Sequence, residues 1–141
     1  MANTITSSYQ VYSPKETVLY LTLSSDGTEE TATVIYDSSA VATEIAKVYP
    51  GFTDPLTSRI YEIYASCNAA ATARVTLLWD ASTDVLAFNI PAATNASKGN
   101  FKRHGGLKNT AGTGITGDIL LTTTGLESGD SIILVLTIGA H

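Results

Sequence analysis

The chain has 141 residues, 44% of them hydrophobic and only 15% charged, with a net charge of −5. A chain of this length buries enough surface to fold as one domain without a metal or disulfide staple, and its single cysteine, Cys67, excludes an intrachain disulfide. The acidic balance argues against binding nucleic acid through phosphate contacts, which need clustered Lys and Arg.

The charged share is well below the usual value of about 25%. Thr, Ser and Ala fill positions where Lys and Glu would normally sit, a mild surface suited to packing in an assembly. No run of about 18 apolar residues occurs, so no membrane-spanning helix is expected. Met1 to Gln10 lacks the apolar segment of a secretory signal. The expectation is therefore a protein made and kept in a cytoplasm, with the sequon Asn95-Ala96-Ser97 a chance occurrence.

In chain order, residues 1–12 are polar and read as an extended N-terminal arm whose Tyr9 and Tyr12 are candidate interface residues. Thr17 to Ser24 alternates, with Leu19, Leu21 and Leu23 on the inner face and Val18, Tyr20 and Thr22 on the other. Asp26-Gly27 then supplies the positive φ of a tight turn, predicting a hairpin with Thr31 to Tyr36, whose Ala32, Val34 and Tyr36 share a face. Val41 to Val48 fits either a short helix or a strand, and Pro50-Gly51 ends it.

Arg59 to Cys67, Ala73 to Asp80 and Val85 to Ile90 read as three strands of a meander, with Val75, Leu77 and Trp79 on one face of the second. Asp80 to Asp84 is a polar turn. Residues 92–117 show no periodicity and hold four of the eight Lys and Arg residues, so they read as one long loop, with Phe101 and Leu107 as anchors to the body or to a neighbour. Asp118 to Thr124 and Ser131 to Ile138 complete the pattern. Ile132, Leu134, Leu136 and Ile138 face one way, Ile133 and Val135 the other, which predicts a central strand. The fold class is all-β, an antiparallel β-sandwich of jelly-roll or immunoglobulin-like type with seven to eight strands in a single domain, 1–141.

Residues for chemistry are sparse. His104 and His141 are the only histidines. No Gly-x-Ser-x-Gly elbow accompanies His104, which reads as a solvent-exposed loop histidine. Zinc would need three or four Cys or His ligands. Asp80, Ser82 and Asp84 lack the glycine and distal glutamate of a calcium loop and read as a turn. Glu62, Asp80 and Asp84 have no local pattern of a paired-carboxylate site. Gly112-Thr113-Gly114 lacks the lysine of a phosphate loop. The reading assigns no catalytic residue, metal or cofactor. The basic group Lys98, Lys102, Arg103 and Lys108, with His104 among them, reads as a solvated loop or one that pairs with acidic groups on a partner. The candidate interface is thus Tyr9, Tyr12, Phe101, Lys102, Arg103, His104 and Leu107.

Three strings, Thr76 to Val85 (TLLWDASTDV), Gly105-Gly106-Leu107 and Thr116 to Thr123 (TGDILLTT), resemble those of small virion proteins of tailed bacteriophages. The resemblance spans Arg59 to Ile138 and carries no catalytic motif. It implies a β-sandwich subunit, trimeric, that coats the capsid as a decoration or cement protein and bridges subunits of the major capsid protein. The alternative is a tail or head-fibre module that recognises host surface glycans through its tyrosines and Trp79.

Overall fold

The computed structural model describes residues 3–11, 16–54, 59–69, 72–90, 94–102 and 105–139, with the backbone alone for Val11 and 94–97. Nine strands and one helix form among them: β1 (Thr4–Val11), β2 (Thr17–Asp26), β3 (Thr33–Tyr36), α1 (Ser38–Ala46), β4 (Arg59–Asn68), β5 (Arg74–Trp79), β6 (Val85–Ile90), β7 (Thr94–Asn100), β8 (Ile119–Thr124) and β9 (Ser128–Gly139). They build a five-stranded sheet, β1-β2-β9-β4-β7, and a four-stranded sheet, β3-β8-β5-β6. Every pairing is antiparallel. The nested pairs β2 with β9, β3 with β8, β4 with β7 and β5 with β6 make one long hairpin wound over itself. That is the jelly-roll connectivity, which decides between the two sandwich types.

The leucines of β2, Ile132, Leu134, Leu136 and Ile138 of β9, and Val75, Leu77 and Trp79 of β5 all point between the sheets. Burying each such side chain contributes about 1.5–3 kcal/mol, and the core runs through both sheets as one cluster. β9 lies between β2 and β4, as its two apolar faces predict. On its second face, however, Ile133 remains 39% exposed.

Three expectations are corrected and one open alternative is settled. First, β2 and β3 do not form a hairpin: β2 pairs with β1 and β9, and β3 pairs with β8. Gly27 does take a positive φ of 95°, but the chain then crosses between sheets. Three bonds to β8 fix that crossing, Thr123 N–H to the Glu30 carbonyl, Glu30 N–H to Thr123 Oγ1 and Ala32 N–H to Thr122 Oγ1. Alternation shows which face of a strand is buried and is silent on which strand lies beside it. A register shift in β3 also puts Ile35 and Tyr36 inside and Val34 outside.

Second, the expected free arm is β1, an edge strand laid on β2 from Thr4 opposite Ser24 to Val11 opposite Val18. Ile5 and Tyr9 give it an inner side that packs on the core. Third, the expected loop 92–117 contains β7, which pairs with β4. An edge strand needs only backbone bonds on one side, so TNASKGN forms a strand without apolar alternation. These two strands raise the count to nine. Fourth, the ambiguous run resolves as helix α1, capped by Asp37, whose side chain accepts from Ala40 N–H, and anchored through Val41, Ala42 and Ile45.

Candidate functional site

The interface residues expected from sequence split three ways. Tyr12, Arg103 and His104 lie outside the described residues. Tyr9, Phe101 and Leu107 are half-buried and pack against the core, so of the two anchorages expected for Phe101 and Leu107, the body or a neighbour, the structure shows the body. Tyr9 meets Tyr36 edge-on, with ring centroids 6.3 Å apart, and Phe101 meets Phe88 at 6.2 Å. Leu107 and Ile60 exchange backbone bonds of 2.7 and 3.1 Å, and Phe101 N–H donates to the Tyr61 carbonyl at 2.7 Å. Gly106, at φ 91°, lies so close to Tyr61 that a Cβ there would stand 2.8 Å from the ring. The anchors therefore hold the loop to its own body. Lys102 is exposed and its ammonium pairs with Glu16, and this hydrogen bond and charge hold its pKa above the ordinary lysine value.

Carboxylates gather at one end of the sandwich. Asp118 Oδ1 accepts from Ser38 N–H at 2.8 Å, and Ser38 Oγ donates to Asp54 Oδ1 at 2.6 Å. Asp80 Oδ2 accepts from Thr116 Oγ1 at 2.7 Å, and the Asp80 N–H donates to the Asp118 carbonyl. Burial pushes the Asp118 carboxyl above its ordinary pKa against the pull of the Ser38 bond, and the charges of Asp37, Asp80 and Asp54 push the same way. Among the described residues no group of three or more His, Cys, Asp or Glu is placed to hold a metal ion. The cluster caps α1 and ties the 113–118 segment to the β5–β6 turn. Glu62 stands on β4 in the other sheet from Asp80 and Asp84, so the three carboxylates do not share one sheet.

The outer face of the five-stranded sheet is different in kind. Register aligns Ser8, Tyr20, Val135, Tyr64 and Lys98 in one row across all five strands. Tyr20 is 40% exposed and Tyr64 45% exposed. They stand two strand spacings apart, roughly 9.5 Å, with Val135 between them. The next row runs Thr6, Thr22, Ile133 and Ser66. Glu62 and Lys98, on β4 and β7, place charge at the β7 side of this face, and Lys102 interacts electrostatically with Glu62. The two rows offer ring, aliphatic and hydroxyl groups side by side.

No family model, curated protein or solved structure matches the chain. The site therefore rests on its own geometry. Trp79, which the alternative glycan reading used as a platform, is 1% exposed and points into the core, which removes it from that reading. The outer-face tyrosines were missed as a set. Alternation already turned Tyr20 away from the core, but Tyr20 and Tyr64 are 44 residues apart in the chain. Only the order β2-β9-β4 makes them neighbours across Val135.

Proposed function

We propose that the chain is a non-catalytic virion structural protein of a tailed bacteriophage, made in the host cytoplasm and seated on the capsid as a decoration subunit. In this reading the outer face of the five-stranded sheet bears on the major capsid protein and bridges its subunits. The observation that carries it is the row Tyr20–Val135–Tyr64 with its two exposed tyrosines, since tyrosine is a residue type enriched at protein interfaces. The resemblance of Thr76 to Val85 and Thr116 to Thr123 to small virion proteins supports the same assignment. Jelly rolls serve both capsid and lectin domains, so the fold adds no choice between them.

The test is to locate the protein in purified particles by mass spectrometry and cryo-EM, and then to add Tyr20→Lys/Tyr64→Lys protein to particles stripped of it. The reading expects the wild-type chain on the capsid and the double variant unbound with an unchanged melt. A protein found in infected-cell lysate and never in particles would overturn it.

A second reading draws on the same two tyrosines. Two rings on a flat sheet, about two strand spacings apart, suit stacking on an extended glycan of a host surface, as a tail or head-fibre module requires. A glycan array decides it: binding must be seen, and must disappear in Tyr20→Ala and Tyr64→Ala.

A further inference from the structure

The sandwich has four sheet edges, and three are guarded. β3 is four residues long with a register shift. β7 carries Lys98 and Gly99. β6 is short, and its Phe88 meets Phe101 of the loop that follows β7. β1 is less guarded: its one register shift lies at its far end, between Tyr9 and Val11. Its eight residues, TITSSYQV, hold no charge, proline or glycine, and its pairing with β2 runs without a shift from Thr4 to Tyr9. It is the end strand of the five-stranded sheet, with no described strand on its other side. Natural edges of this length are blunted by lysine, proline or a bulge because their open N–H and C=O groups recruit another strand.

The edge is also held in place. Asn3 Nδ2 donates to the Thr28 carbonyl at 2.9 Å and to Glu30 Oε2 at 2.8 Å, while its Oδ1 accepts from Asp26 N–H at 3.0 Å. A strand fixed at its start loses little freedom when a second strand adds to it.

We infer that β1 pairs antiparallel with β1 of a second copy, joining two five-stranded sheets into one of ten strands across a two-fold axis. Antiparallel partners must point to the same face, so residues of equal parity oppose each other. Centring the axis on Ser7 sets Ser7 against its own equivalent, Thr6 against Ser8, Thr4 against Gln10, and Ile5 against Tyr9 of the second copy. Of the registers that parity allows, this one brings both large inward residues of the strand face to face, twice per dimer. Both are half-buried in the single chain. No like charges meet across the axis.

The prediction concerns the free protein and stands apart from any virion role. Sedimentation and light scattering on the full chain should give twice 14.8 kDa. Ser7 is exposed, so Ser7→Lys should keep the fold by circular dichroism and raise the dimer Kd at least tenfold, because two like charges then face each other directly. An equimolar mixture of S7K and S7E should form dimers again. Should S7K fail to fold, amide exchange on the wild type serves instead: β1 amides must be slow at high concentration and fast after dilution. A wild-type monomer at the highest soluble concentration, the trimer that the phage resemblance implies, an S7K dimer of undiminished stability, or β1 exchange indifferent to dilution would each overturn the inference.

Discussion

Two adjacent residues of β9 test the sandwich most directly. Leu134 is 0% exposed and stands between Leu21 and Ala65 on the neighbouring strands. Ile133 points the other way and keeps 39% of its surface in water. Truncating Leu134 to alanine removes the transfer energy of the lost carbons and leaves a cavity that a close-packed interior fills only in part, about 2–5 kcal/mol in all. Ala65 has no side chain long enough to collapse into the gap, which favours the upper half of that range. Ile133→Ala loses only part of one side chain's burial and opens no cavity, about 1 kcal/mol. For a chain of this length 1 kcal/mol moves the melting temperature by about 3–4 °C. Leu134→Ala should therefore melt at least about 8 °C lower and Ile133→Ala about 3 °C lower. Denaturant melts with unchanged slope would show that the loss is in stability itself. Equal losses for the two variants would refute the assignment of faces in β9, and with it the outward row that includes Val135.

Two further outcomes follow from the ends of the sandwich. The raised pKa of Asp118 means that the folded chain binds this proton more tightly than the unfolded chain. Its favourable contribution exists only below the ordinary carboxylate range and is lost as pH rises through the raised value, so at neutral pH its charge is a cost. Asp118→Asn keeps an oxygen to accept from Ser38 N–H; it should melt higher than wild type at pH 7, and the gain should vanish on acidification to about pH 3. A lower melting temperature at pH 7 would refute this. Gly106→Ala places a methyl group on the Tyr61 ring at a positive φ. It should cost about 1–3 kcal/mol in a denaturant melt and release the 105–107 segment to proteolysis; a neutral variant would mean that this segment is not held as described.

What was legible in the sequence follows the reach of each signal. Period-two alternation named the inner faces of β2, β5 and β9, because burial on one face acts residue by residue along a strand. It also gave Asp26-Gly27 as a corner with positive φ. It did not give strand order, since β2 pairs with β9 from the far end of the chain while the nearby β3 lies in the other sheet. Edge strands were the hardest to see. Half the backbone groups of β1 and β7 need no partner within the chain, and their residues obey no apolar alternation strong enough to betray them. The proposed interface was hidden for a related reason. Tyr20, Val135 and Tyr64 are each an ordinary outward residue, and they become a surface only after the sheet is assembled.

The size of that surface bears on how the protein could hold a capsid. A tyrosine buries about 150–250 Å²; with 40% and 45% of Tyr20 and Tyr64 still exposed, the pair offers about 150 Å² more to a partner. At roughly 25 cal/mol per Å² this is worth about 4 kcal/mol, no more than the lowest estimates of the cost of association, about 4–15 kcal/mol. One face alone therefore binds weakly. Pairing through β1 changes the count without any new contact to the capsid. Opposed residues of the two edges point to the same side, so the ten-stranded sheet carries two Tyr20–Val135–Tyr64 rows on one continuous face. A second row engaged on a repeating lattice acts at high effective concentration, and avidity gains of about 10²–10⁴ are typical when the geometry allows both to bind. The Ser7→Lys monomer should then attach to particles at least tenfold more weakly than wild type although its tyrosines are intact, while Tyr20→Lys/Tyr64→Lys should fail to attach although still dimeric. Equal attachment by S7K and wild type in a particle-binding titration would show that the second row never reaches the lattice, and attachment would then have to come from surface beyond these tyrosines.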